Sequence, residues 1–231
     1  LSYDIQPDRT EPVGWYRFTA PPGLENLELD IHGELLSAWV AGRETATEKV
    51  GDGAEGAVTY RVQPAERKPQ AGTVALRVRQ DTARYGGATI PKPVRFECGP
   101  GRAAAGRWSR IGLDSYSGTA VYRRSVTLGE EYADRPLVLD LGNVAVSADV
   151  RINGRKAGQA IAPPWEVEIG DLVREGENTI EIRVANTLAN HYETYTPTTY
   201  VFDGQTLSGL LGPVRIRALS EVRLEPADAG N

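Results

Sequence analysis

Apolar and polar residues alternate along most of this chain. Leu27, Leu29 and Ile31 flank Glu28 and Asp30, and Val74, Leu76 and Val78 flank Ala75 and Arg77. The same period of two recurs over Val146–Ile152 and over Ile180, Ile182 and Val184. Such runs place one set of side chains on a buried face and the other in water, which predicts half-buried β-strands. Turn chemistry separates them: Pro21-Pro22-Gly23, Asn153-Gly154, the Glu175–Asn178 run and Asp203-Gly204. Asn153-Gly154 predicts a tight hairpin, because both residues accept positive φ. No stretch holds a helical period beyond two turns, and Asp171-Leu172 is expected to form at most one short turn. Short strands at 8–12-residue spacing with turns between them predict β-sandwiches.

The pattern occurs twice. Each copy has an aromatic-Arg strand near Tyr16-Arg17 or Tyr122-Arg123, then an apolar strand ending near an Asp (Asp30, Asp140). A strand closing on Gly42-Arg43 or Gly154-Arg155 follows. Each copy ends on Pro-Val-Arg, at Pro93–Arg95 and Pro213–Arg215. A repeat of about 100 residues is too long for a solenoid and suits tandem domains. The expected fold class is all-β, with two tandem antiparallel β-sandwich domains, which a family resemblance carried by the second copy implies to be of jelly-roll, galactose-binding-like form. The first spans 1–98, a small-residue linker 99–105, the second domain 106–226, and a tail 227–231.

Composition narrows the function. The chain has 231 residues, 40% of them hydrophobic and 25% charged, with a net charge of −5. Its arginines are scattered along strands, which argues against nucleic-acid binding. No apolar run approaches the ~20 residues of a membrane span. Cys98 is alone, so no internal disulfide forms, and it reads as a packing residue. The chain starts at Leu1 and holds no Met, which reads as a processed or excised segment of a longer protein.

The second copy resembles the sugar-binding jelly-roll domain of glycoside hydrolases of the beta-galactosidase and beta-glucuronidase type. The likeness rests on Trp108 and Gly112 leading into the 116–124 run, on the 137–144 run, and on Val150–Arg155, Trp165–Ile169 and Gly176–Thr187. The 185–190 and 208–214 segments, Ala-Asn-Thr-Leu-Ala-Asn and Ser-Gly-Leu-Leu-Gly-Pro-Val, most resemble the C-terminal region of bacterial alpha-L-rhamnosidases. In those enzymes the chemistry sits in a separate barrel. Nothing in this chain has that barrel's strand–helix alternation or its ~250 residues. The resemblance therefore implies a non-catalytic accessory region, an extracellular or periplasmic location, and two partners. One is a rhamnose- or galactose-containing glycan; the other is the parent enzyme's catalytic domain. A free-standing carbohydrate-binding or cell-surface module, and a small hydrolase or lyase, are the alternatives.

A glycosidase needs two carboxyl groups ~5–9.5 Å apart across the sugar. Glu166 and Glu168 share a strand face about 7 Å apart by strand rise, but read as the solvent side of an amphipathic strand. Asp30 and Asp140 read as turn residues accepting backbone hydrogen bonds. His32 and His191 lie far apart with no Cys nearby, so no catalytic metal and no cofactor is expected. Structural calcium stays open, although no loop has convincing ligand spacing.

The remaining candidate is the aromatic 187–208 segment. Asn190, His191, Tyr192, Tyr195, Tyr200 and Asp203 combine rings for the C–H faces of sugars with polar groups for hydroxyls. The same residues suit docking against a neighbouring domain, and a purely internal loop is a third reading. Trp39 and Trp165 are expected to pack in the core or at an edge, and Trp15 and Trp108 to seal the sandwich bottoms.

Overall fold

The computed structural model describes residues 12–132, 135–195, 201–202 and 204–220. The tail expected at 227–231 lies outside them. The architecture is all-β and antiparallel, with the β-sandwich character expected from the alternation and the jelly-roll character implied by the resemblance. The chain divides into two compact units, 1–104 with 110–113, and 105–109 with 114–231.

Unit 1 contains β1 (Val13–Ala20), β2 (Leu24–Ile31), β3 (Gly33–Val40), β4 (Arg43–Asp52), β5 (Val58–Gln63), β6 (Gly72–Gln80) and β7 (Arg95–Cys98). They form one sheet in the order β1-β6-β3-β4-β5-β2-β7. Strand β4 turns the corner. It pairs with β3 through Arg43–Thr45 and with β5 through Ala46–Asp52, so the sheet curls into two layers. Leu27, Leu29, Ile31, Val62, Val74 and Leu76 meet between those layers, and Phe18 and Phe96 pack edge to face beside them. The period-two runs thus bury the alternate residues that hydrophobic transfer favours, at about 25 cal/mol per Å² of apolar surface.

Unit 2 contains β8 (Thr119–Leu128), β9 (Leu137–Asp140), β10 (Val144–Ala145), β11 (Ser147–Ile152), β12 (Arg155–Ala160) and β13 (Glu166–Glu168). It continues with β14 (Gly176–Ala185), α1 (Ala189–Tyr195), β15 (Gly209–Leu210) and β16 (Arg215–Ala218). Its main sheets run β12-β11-β14-β8 and β13-β9-β16, with β10-β15 as a small third pair. With β8, β9, β11, β12, β13, β14 and β16 matched to β1 through β7, the two strand orders coincide. The difference is that unit 2 breaks between β12 and β13, where unit 1 is continuous through β4 and β5. The internal repeat in the sequence is therefore a repeat of topology.

Local features match as well. Ala41 and Gly42 turn β3 into β4 with φ of 51° and 78°, and Asn153 and Gly154 turn β11 into β12 with φ of 52° and 80°. Both are two-residue turns with positive φ at each position, the hairpin that Asn153-Gly154 predicts. Asp30 is buried at the end of β2. It accepts from the Thr59 hydroxyl at 2.7 Å and the Ala54 amide at 3.1 Å. Gly53 lies so close that a Cβ there would meet the Asp30 carboxyl carbon at 2.8 Å. Burial disfavours the Asp30 charge, yet these two hydrogen bonds, together with the positive charges of Arg95 and Lys92, outweigh it and hold the pKa below the usual carboxylate value. In unit 2, Asp140 accepts from the Gly142 amide at 2.8 Å and faces Arg217 at 3.5 Å.

Two expectations need correction. The 187–208 segment, read as a loop, contains the seven-residue helix α1, which stays within the two turns that the sequence allows. Trp15 does not seal a sandwich: it is 64% exposed. Alternation explains this, because Tyr16 and Phe18 pack against the core from β1 and the odd positions must then face water. Trp108 is fully buried, and its indole N–H donates to the Tyr122 hydroxyl at 2.8 Å.

Candidate functional site

The segment after β14 is held by three polar side chains. Asn186, at the strand's exit, accepts from the Gly118 amide at 2.7 Å and donates to the Tyr116 carbonyl at 2.7 Å. It also donates to Asn190 at 3.1 Å and to Ser208 at 2.9 Å. Asn190 is 3% exposed. Its amide nitrogen donates to the carbonyls of Asp114 and Thr206, both at 2.9 Å. Its carbonyl oxygen accepts from Asn186 and, at 3.0 Å, from the Ser208 hydroxyl. An amide side chain offers two donors and two acceptor sites, and all four are used. Asn190 therefore belongs to the fold, with no capacity left for a sugar hydroxyl.

This clamp sets α1 in place and turns the neighbouring residues outward. The His191 amide donates to the Ser117 hydroxyl at 3.1 Å, while its ring is exposed. That ring lies 4.7 Å from Tyr195, one helical turn on, and 5.8 Å from Tyr192. Tyr192 and Tyr195 are 46% and 43% exposed. The structure thus gathers His191, Tyr192 and Tyr195 into one aromatic ridge. Tyr200 and Asp203 lie outside the described residues.

Beside the ridge is an open, mostly apolar hollow of about 590 Å³, walled by Val144, Val146, Leu188, Tyr192 and Leu207. Val146 holds φ at 83°, where a β-branched residue clashes with its own backbone. Such strain gathers at ligand-contacting positions. A polar hollow of about 380 Å³ is lined by Arg107, Asp114, Glu193 and Thr206. A third, of about 990 Å³, is lined by Arg135, Arg155, Lys156, Arg174, Glu168 and Asp171.

Three of the carboxylates weighed for catalysis, Asp30, Asp140 and Glu166, are engaged in the fold. Glu166 pairs with Arg217, which also faces Asp140. Glu168 lines the third hollow, apart from that pair. Among the described residues, no three His, Cys, Asp or Glu side chains gather around a metal-sized point. His32 is buried in unit 1 and its Nε2 finds no hydrogen-bond partner among the described residues. Cys98 reaches solvent, yet partial desolvation of its sulfur, with Glu25 nearby, raises its thiol pKa. That makes it a poor nucleophile at neutral pH. No described helix is long and apolar enough to cross a membrane.

No family model matches the sequence. A putative beta-glucuronidase of Formosa agariphila is 34% identical over 88 residues, covering 36% of this chain and 8% of that protein. The chain thus spans less than a tenth of the curated relative it matches. Among solved structures, a rhamnosidase from Novosphingobium sp. PP1Y is 23% identical, with a TM-score of 0.39 over 87% of this chain and 24% of that one. A Bifidobacterium dentium beta-glucuronidase is 15% identical, with a TM-score of 0.39 over 83% of this chain and 30% of that one. A Pleurotus ostreatus lectin is 12% identical, with a TM-score of 0.27 over 75% and 67%. Likenesses at that level transfer neither a site nor an activity.

The sequence reading missed the Asn186–Asn190–Ser208 clamp. Its signal was present, since all three residues lie in the two segments that carry the rhamnosidase resemblance.

Proposed function

We propose that this chain is a non-catalytic, carbohydrate-binding accessory region of a glycoside hydrolase resembling an alpha-L-rhamnosidase that acts on plant polysaccharides or glycosides. The supporting observation is the aromatic ridge of His191, Tyr192 and Tyr195, held on a clamped helix beside an apolar hollow. A rigid ring presented to water loses little conformational freedom on meeting the C–H face of a sugar. The identity with the putative beta-glucuronidase supports a glycoside-hydrolase setting. The non-catalytic part is supported by the use of Asp30, Asp140 and Glu166 in structural contacts. In this reading the partners are a rhamnose- or galactose-containing glycan and the parent's catalytic domain, outside the cytoplasm.

Calorimetric titration with rhamnose-rich oligosaccharides tests it. The wild-type chain should give a saturable heat, and Tyr192→Ala with Tyr195→Ala should weaken binding at least tenfold while the fold persists. Absence of heat from the wild type defeats carbohydrate binding at the ridge. The same exposed rings suit docking onto the catalytic domain. Loss of co-purification with that domain in the double variant, with no glycan binding in either protein, would establish docking instead.

A further inference from the structure

The outward side of β1, β6 and β3 in unit 1 carries an arrangement that the α1 ridge does not involve. Strand register sets its side chains in rows. Trp15, Arg77 and Ser37 form one row. Arg17, Ala75, Trp39 and Glu44 form the next. The two indoles stand on one diagonal and stack across it, with ring centroids 5.4 Å apart and planes 28° from parallel. Ala75, between them on β6, presents only a methyl group. The two arginines stand on the other diagonal.

Unit 2 supplies an internal control, because its equivalent strands pair in the same register. The matching rows are Val121, Arg183 and Asp149, then Arg123, Glu181, Arg151 and Lys156. There the bases meet acids. Arg123 pairs with Glu181 at 2.8 Å, and Arg183 stands directly across from Asp149. The hydrogen bond from Arg123 also lowers the Glu181 pKa. Unit 1 keeps both arginines but has Ala75 and Ser37 where those acids stand, and indoles where Val121 and Arg151 stand. Among the described residues, Arg17 and Arg77 make no ion pair and no side-chain hydrogen bond. Arg79, farther along β6, pairs with Glu34. Glu44 closes the second row beyond Trp39.

An indole pair, Trp15 exposed and Trp39 half-buried against it, beside two guanidinium groups lacking acids is a surface missing two chemistries: a flat apolar face and a carboxylate. We propose that this face binds saccharides whose pyranose rings carry a carboxylate, that is, uronate-bearing glycans. The stacked indoles take the C–H face of a ring, which the negative face of the aromatic system attracts. Arg17 and Arg77 take the carboxylate, which the planar guanidinium fork accepts through two parallel hydrogen bonds. The site is independent of the α1 ridge, so the two readings fail separately.

The full chain is titrated with tetragalacturonate, neutral cellotetraose and sodium acetate, by calorimetry and tryptophan emission. The expected result is saturable tetragalacturonate binding that weakens with added salt. Cellotetraose should bind at least tenfold more weakly and acetate without saturation. Trp15→Ala should abolish binding. Arg17→Gln with Arg77→Gln should weaken it at least tenfold with an unchanged unfolding midpoint. Tyr192→Ala with Tyr195→Ala should leave it intact. If Trp15→Ala lowers the midpoint sharply, the arginine double variant decides alone. Equal affinity for cellotetraose, saturable acetate binding, or retained affinity in the arginine double variant would each overturn the proposal. So would concentration-dependent self-association that Trp15→Ala removes, since the face would then join two copies of the chain.

Discussion

Replacing Asn190 by Ala separates a structural residue from a ligand-binding one. The substitution removes four side-chain hydrogen bonds, two given to the Asp114 and Thr206 carbonyls and two accepted from Asn186 and Ser208. Each is worth about 0.5–1.5 kcal/mol net, and a buried group left without a partner costs about 1–3 kcal/mol. The losses are unequal. Asn186 keeps its bonds to Tyr116 and Ser208, and Ser208 keeps its bond to Thr206, so the Asp114 carbonyl suffers most. The expected destabilisation is about 2–4 kcal/mol, at the lower end if water enters the vacated site. A unit of about 120 residues unfolds with about 2.1 cal/mol/K of entropy per residue, so each kcal/mol moves its midpoint by about 4 °C. Thermal unfolding followed by circular dichroism should therefore show a fall of about 8–16 °C in the unit 2 transition. Ser208→Ala, which removes one of the four bonds, should cost less. A fall under about 2 °C, together with loss of glycan binding, would refute the clamp and return Asn190 to the ligand-binding set.

Two further outcomes follow from unit cores. Asp30 has a folded pKa below its unfolded value near 3.9, so its stabilisation is present above that value and is lost as pH falls through the folded pKa. Asp30→Asn should thus lower the unfolding free energy measured in urea at pH 7 by about 1–2 kcal/mol, and the gap from wild type should narrow as pH falls below about 3.9; a gap that does not change with pH over that range contradicts the assignment. Trp108→Phe and Tyr122→Phe both break the buried indole–hydroxyl bond. A double-mutant cycle should then give a coupling of about 0.5–1.5 kcal/mol, and strict additivity would remove that bond from the core.

Much of the strand content was legible because one physical rule, alternation of buried and open positions, operates in the longer strands such as β6, β11 and β14. The duplication made it more so: Asp30 and Asp140, and the two Gly-Arg turns, are local signals that recur at matching places. What alternation could not reveal is tertiary. Helix α1 spans only seven residues, too few to show a period, and isolated helices of that length are unstable in water. It forms because Asn190 reaches the Asp114 carbonyl, 76 positions earlier in the chain. A polar residue in an aromatic loop reads as a ligand until that distant partner is known. Trp15 was misread for a different reason. Its place at the opening of the first unit, matched to that of Trp108, suggested a sealing role, but its register with Tyr16 and Phe18 required exposure, and register governs which face a side chain takes.

The two units also show how one scaffold can carry two kinds of surface. At the last register position of β6 and the first residue after β14, an amide side chain anchors the connection that follows. Gln80 donates to the Tyr16 and Thr89 hydroxyls in unit 1, and Asn186 donates to Tyr116, Asn190 and Ser208 in unit 2. In unit 1 the anchored chain is short and closes as a 3-10 turn over Gly86–Thr89, with Thr89 buried. In unit 2 it is longer and includes α1 with its aromatic ridge. The outer sheet faces differ in the opposite sense: paired charges cover unit 2, while unit 1 exposes indoles and unpaired arginines. The indole and arginine positions of unit 1 lie on the side of its sheet away from the core, so the core that defines the topology does not constrain them. The strand order that the units share thus leaves the outer sheet face and the connection after β6 or β14 free to differ between them.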